Sequence, residues 1–218
     1  MNWTYMRQAA WLDTRARFVQ QTPRGGALLD LASAEGETLR HFHELRPDLR
    51  FYSVDILGLP EAYPPGCQFF RGDLEKDRIP WPDHSVDTVT CMHLVEHMTR
   101  LEPMFAEVAR LLKPGGRLYV ETPHPRTAVY PSARHGAAGV YIRNFYDAPC
   151  HLRLMPVGLV AYYCREAGLR VDRTGISRNW LITLAHLVYM WGPASRKKNT
   201  AWCHFHGWSA YLTAHKES

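Results

Sequence analysis

Apolar residues along the chain follow two periods in turn. Tyr5, Ala9, Leu12, Ala16 and Val19 recur every three or four residues, which predicts one amphipathic helix over the first twenty or so positions. Thr22-Pro23-Arg24-Gly25-Gly26 breaks it. The short apolar run Ala27-Leu28-Leu29-Asp30-Leu31 then lies between turn residues, the signature of a buried strand. Helical spacing returns from Glu37 to Leu45 and ends at Pro47.

The alternation repeats. Strands are predicted at 50–54, 67–71, 86–90, 117–121, 169–173 and 208–215, with helices at 101–112 and 157–167. The first helix of this pair stops at Lys113-Pro114-Gly115-Gly116 and the second at Gly168. Repeated strand–helix alternation implies an α/β fold, a mostly parallel sheet with helices on both faces. Two stretches stand outside the pattern: 126–150, with weak periodicity, and 179–207. The latter holds an apolar helix Trp180–Trp191, the triplet Arg196-Lys197-Lys198, and Trp202–Gly207, where His204 and His206 alternate with Phe205 as in an extended segment. Both read as insertions that shape a substrate site.

Length and composition narrow the class. The 218 residues suit one domain: an N-terminal helix over 1–24, a core over 25–125 and the two insertions. A net charge of +5 is mildly basic, and no long Lys/Arg run marks a nucleic-acid surface. Arg supplies 21 of the 26 basic residues, a composition that fits a bacterium with a GC-rich genome. Five scattered cysteines without a CxxC pair point to a reducing compartment, so a cytoplasmic protein is expected. The N-terminus lacks a signal-peptide pattern, and no apolar run is long enough for a spanning helix.

In an open parallel sheet, ligands bind beyond the C-terminal ends of the strands. The first strand runs into Asp30-Leu31-Ala32-Ser33-Ala34-Glu35-Gly36-Glu37, and the second ends in Asp55, where an acid can hold ribose hydroxyls. A dinucleotide fingerprint would place Gly at 32, 34 and 37, where this chain has Ala, Ala and Glu. Acids crowd the turn, which disfavours a pyrophosphate and suits a cofactor without phosphate.

The run Leu28–Gly36 resembles the first motif of class I S-adenosylmethionine-dependent methyltransferases. The resemblance continues through Asp55, through Gly72-Asp73-Leu74 with Ile79–Asp87, through Met92–His97, and through Leu111–Leu118. Its segments are similar to those of ubiquinone-biosynthesis O-methyltransferases. The resemblance implies a Rossmann-like, doubly wound, seven-stranded sheet and S-adenosylmethionine as cofactor. It implies that Asp30, Ala32, Ser33, Ala34 and Gly36 run under the methionine moiety. Asp55 would take the ribose hydroxyls with Ile56 against adenine. Asp73 would accept the adenine amine beside Leu74, and Met92 and His93 would lie near the sulfonium. Ala32 and Ala34 depart from the glycines usual there, each adding a methyl where backbone approaches ligand.

The expected activity is methyl transfer to an oxygen or nitrogen of a small-molecule acceptor. His93, His124 and His151 are the candidates for base or substrate contact, because imidazole titrates near neutrality. An alternative is a metal-dependent enzyme on the same fold, holding a divalent ion with His93, Glu96, His97, His124 and His151. A repurposed, non-catalytic relative is a further alternative, raised by the two alanines. A nucleic-acid partner is not expected, since the Pro-Pro-Tyr type of motif is absent after the fourth strand. The apolar helix 180–191 is expected to act as a lid or a homodimer contact rather than a membrane-surface helix.

Overall fold

Runs too short for a helix and apolar on both faces have one way to bury themselves, as inner strands of a parallel sheet. The computed structural model describes residues 3–132 and 142–218, so part of the 126–150 insertion lies outside the described residues. In chain order the elements are α1 (Met6–Ala9), α2 (Thr14–Val19), β1 (Ala27–Leu31), α3 (Glu37–Leu45), β2 (Arg50–Asp55), β3 (Gln68–Arg71), β4 (Val86–Met92), α4 (Glu102–Leu111), β5 (Leu112–Pro123), α5 (Val157–Glu166), β6 (Leu169–Ile176), α6 (Trp180–Tyr189), α7 (Arg196–His206) and β7 (Ser209–Lys216).

The seven strands form one sheet in the order β3-β2-β1-β4-β5-β7-β6. The first five are parallel, and β7 runs antiparallel between β5 and β6. The α/β architecture expected from the alternation is therefore the one observed. All five residues of β1 are buried. Leu29 and Leu31 pack with Met104, Phe105 and Val160 of α4 and α5 on one face. Leu28 and Tyr119 pack with Phe18, Leu39 and Phe42 of α2 and α3 on the other. Strand order reverses between β1 and β4, which opens a crevice beyond their C-terminal ends.

Three local expectations are corrected. The N-terminal segment is not one helix, because Asp13 is extended (φ −126°, ψ 132°) between a 3-10 turn and α2. Its carboxylate accepts from the backbone of Arg15 and Ala16, at 2.9 Å each, and its other oxygen takes the Asn179 amide at 3.0 Å. Tertiary pairing with Asn179 thus turns a continuous periodicity into two pieces. The His204–His206 segment is not extended but ends α7. Ser195 caps that helix by accepting from Lys198 N, and Gly207 closes it at φ +70°, a conformation glycine adopts without strain. Finally, β5 starts at Leu112, so the expected loop 113–116 belongs to the strand, which bends at Gly115.

Candidate active site

The turn after β1 takes glycine-type backbone at three of five positions: Ala32 (φ +56°), Ala34 (φ +45°) and Gly36 (φ +73°). Left-handed backbone costs an L-residue roughly 1–2 kcal/mol, so the two alanines hold a shape their side chains oppose. The surroundings impose it. Ala32 N donates to the Val54 carbonyl at 2.8 Å, and Ala34 N donates to Asp55 Oδ2 at 2.8 Å. The Tyr63 hydroxyl donates to the Ala34 carbonyl at 3.0 Å. A Cβ on Gly36 would lie 2.4 Å from the Tyr63 ring. Asp55 Oδ1 also accepts from Leu57 N (2.7 Å) and Gly58 N (3.0 Å), so this carboxylate ties the β1 and β2 loops together. Beside it, Ile56 and Leu57 are 59% and 76% exposed, an uncovered apolar shelf.

Asp30 lies beneath the turn, not in it. It is buried and accepts from the Thr90 hydroxyl at 2.6 Å, and burial pushes its carboxyl up to about 7. Ser33 donates to the Asp30 carbonyl and accepts from the Ser53 hydroxyl, so it is also a support. Asp73 accepts from Glu75 N at 2.9 Å with one oxygen and pairs with Lys76 at 2.6 Å with the other. Its neighbour Leu74 is buried in the α4–α5 core, and Met92 packs on the opposite face.

At the end of β4, His93 enters the crevice with φ +53°. Its ring lies between two buried carboxylates. Nδ1 is 3.2 Å from Glu96 Oε1, and Nε2 is 3.2 Å from Glu121 Oε1. Burial opposes a charge there, but the two carboxylates outweigh it and raise the imidazole to about 9. Glu121 is fully buried, receives the Tyr119 hydroxyl at 2.7 Å and lies 3.2 Å from Arg15 Nε. Despite its burial, Arg15 and His93 hold its carboxyl well below the usual range. A raised pKa favours the charged ring, which suits His93 to substrate contact, the other half of its expected role.

His-x-x-Glu-His does not act as one helical face. Residues 95–97 form a 3-10 turn, which sends His93 toward Glu121 and His97 toward His151. His97 Nδ1 is 2.9 Å from the Cys150 carbonyl, and His151 Nδ1 is 2.7 Å from the Phe145 carbonyl. A carbonyl only accepts, so both Nδ1 atoms carry a proton and donate, which leaves Nε2 as the ligand or acceptor atom of the neutral ring. Among the described residues, Glu96, His97 and His151 bring one potential ligand atom each within 4.8 Å of one another. His93 and His124 are not in that group. His124 caps the turn after β5, its Nδ1 accepting from Arg126 N at 3.1 Å, and burial with Arg126 beside it lowers its pKa. Its basic nitrogen is spent on the backbone.

Arg15 and Glu121 were not among the residues singled out from the sequence. The signal for Glu121 was an acid inside the apolar run Leu118–Thr122 at the crevice end of a strand. Arg15 carried no such mark, since it reaches Glu121 only through the docking of α2.

Residues 29–120 match the model of a methyltransferase domain family. A ubiquinone biosynthesis O-methyltransferase from Paracidovorax citrulli is 29% identical over 69% of this chain and 61% of its own length. A demethylmenaquinone methyltransferase from Tropheryma whipplei is 39% identical over 73% of this chain and 64% of its own. The chain spans less than two thirds of these relatives. An S-adenosylmethionine-dependent methyltransferase structure from Mesorhizobium loti superposes with TM-score 0.63 at 18% identity, covering 92% of this chain and 95% of that one. A putative methyltransferase from Haloferax volcanii, solved with the activator Trm112, gives 0.66 at 17% identity over 98% and 93%.

Proposed function

We propose that this chain, which carries a class I S-adenosylmethionine-dependent methyltransferase domain, transfers the cofactor's methyl group to an oxygen or nitrogen of a small-molecule acceptor. The observation that carries this reading is the turn after β1, which keeps glycine-type backbone at 32, 34 and 36 against the Asp55 carboxylate.

The residues present fit the cofactor. A carboxylate for a diol stands beside a bare apolar shelf for a purine, Ile56 and Leu57. The nearby Arg40 is already engaged, donating to the Glu35 and Ala62 carbonyls. Ala32, Ala34 and Gly36 would line the methionine moiety with backbone, over Asp30 and Ser33 as supports. Asp55 would exchange its bond to Ala34 N for the ribose hydroxyls. Asp73 and Leu74 would border the adenine, and Met92 the sulfur.

When bound, the cofactor supplies an electrophilic methyl on a sulfonium. The chain's part is to orient the acceptor and take its proton. His151 suits the proton acceptor, because donation from Nδ1–H to the Phe145 carbonyl orients the neutral ring with Nε2 as its acceptor atom. His93, clamped between Glu96 and Glu121, supplies a fixed positive charge beside the acceptor.

Calorimetric titration of S-adenosylmethionine and its demethylated product tests the reading. Micromolar affinity in the wild type, lowered tenfold or more by Asp55→Ala, is the expected result. No heat with either ligand in the wild type would refute it and favour a repurposed fold.

A second reading rests on Glu96, His97 and His151. Two imidazoles with Nδ1 anchored on carbonyls and one carboxylate suit a divalent transition metal, and backbone anchoring of the far nitrogen is how metal-binding histidines are oriented. The ion would polarise an acceptor hydroxyl. Metal content after purification, compared with a His97→Ala variant, tests it; equal content in both refutes it.

A further inference from the structure

Helix α6 has its polarity reversed. Its inward residues are Thr183 and His186, 5% and 7% exposed. Its outward residues are Trp180, Leu181, Leu184, Leu187 and Val188, the last 72% exposed. At about 100° per residue these five fall within a sector of roughly 120°. The Thr183 hydroxyl donates to the Asn179 carbonyl at 2.8 Å, and the His186 ring lies against the Phe205 ring, centroids 4.7 Å apart. Asn179 caps the helix through Ile182 N and anchors it to Asp13. The helix is therefore held with its apolar side outward by its polar side.

We propose that α6 seats the protein on an anionic bilayer surface, with its apolar stripe among the upper acyl chains and Arg196 and Lys197 against the headgroup phosphates. Charge selects this occupant. No Asp or Glu occurs from residue 174 to 216, a stretch that includes Arg178, Arg196, Lys197, Lys198 and Lys216. Lys198 fixes the helix end by donating to the Met190 and Gly192 carbonyls. Arg196 and Lys197 are exposed, and the acid facing them is Glu37 of α3, 3.5 Å from Arg196. Trp180 opens the stripe and Trp191, 85% exposed, follows its end, an arrangement suited to a membrane–water interface.

Size argues against a second copy of the chain as occupant. Ten residues of helix are about 15 Å long and about 10 Å across, well short of the roughly 800 Å² per partner that stable interfaces bury. Among the described residues no helix is long and apolar enough to cross a membrane, so α6 would lie in the surface plane. This inference stands apart from the methyl-transfer reading.

Flotation with vesicles of phosphatidylcholine plus phosphatidylglycerol, and of phosphatidylcholine alone, tests it. The wild type should float with the anionic vesicles, less with the neutral ones, and less at high salt. Leu184→Glu/Leu187→Glu should lower partitioning roughly tenfold or more, and Arg196→Gln/Lys197→Gln by about tenfold or more. Both pairs are exposed, and unchanged circular dichroism and melting would verify the fold. Quenching of wild-type tryptophan fluorescence by brominated lipid supplies support that needs no variant. Three results overturn the proposal: no flotation on anionic vesicles, a stripe variant that floats like the wild type, or a solution dimer that the stripe variant dissociates while neither protein binds vesicles.

Discussion

Glu121→Gln removes one negative charge from between two cations while keeping the side chain's shape. Glu121 is fully buried, with His93 and Arg15 each 3.2 Å from a carboxylate oxygen and the Tyr119 hydroxyl at 2.7 Å. Breaking a buried ion pair by removing one partner costs about 3–5 kcal/mol. Here Arg15 and His93 keep 26% and 32% of their side chains open to water, so the lower end, about 3 kcal/mol, applies. For a chain of this size that is a fall in Tm of about 6–12 °C.

The same variant has a pH signature. The folded His93 pKa is raised from 6.5 to about 9, so its stabilisation is complete below 6.5 and is lost as pH rises through about 9. A fully buried group would contribute about 3 kcal/mol, and its partial exposure reduces this to about 1–2 kcal/mol. Asp30, raised to about 7, also makes stability fall with rising pH, but over the interval between its ordinary value and 7. Burial holds the Cys67, Cys164 and Cys203 thiols up at about 12, which adds a fall above about pH 8.5 in wild type and variant alike, so the difference between the two proteins in denaturant unfolding from about pH 7 to about 9.5 isolates His93. With only Glu96 left, the His93 pKa falls back and this slope flattens in the variant. A Glu121→Gln protein within about 0.5 kcal/mol of wild type at pH 7, or a wild type of constant stability from pH 7 to 9.5, would refute the reasoning.

His151→Ala should lower turnover by about 10²–10⁴-fold and leave the calorimetric cofactor affinity unchanged, because its ring touches Phe145 and His97 and not the β1 turn; a lost affinity would place it elsewhere. Ala34→Gly should be neutral or stabilising by up to about 1 kcal/mol in urea unfolding, since relief at φ +45° offsets the entropy of a glycine, and cofactor binding should tighten. A loss of more than about 1 kcal/mol would show that the turn is unstrained. Asn179→Ala should destabilise by about 2 kcal/mol, combining a lost cap with an unpaired buried Asp13 oxygen, as read by Tm.

Much of the architecture was legible in the residue pattern, because burial of a parallel strand and the facing of a helix are local periodicities. Ala27–Leu31 reads as an inner strand without reference to its neighbours, and Glu37–Leu45 as a helix with one apolar side. The turn after β1 was legible as a turn too, since its residues are contiguous. What depended on distant partners was not. One periodic segment became two helices because Asp13 meets Asn179, 166 residues away. Three histidines of similar sequence standing took three settings: His93 between two carboxylates, His124 accepting from Arg126 N, and His151 donating from Nδ1 to the Phe145 carbonyl. Protonation is set by the field and the hydrogen bonds around a ring, and those come from strands and loops that only tertiary folding brings together. The direction of α6 belongs to the same class, for its apolar periodicity names a stripe and only the docking of Asn179, Thr183 and His186 decides that the stripe faces out.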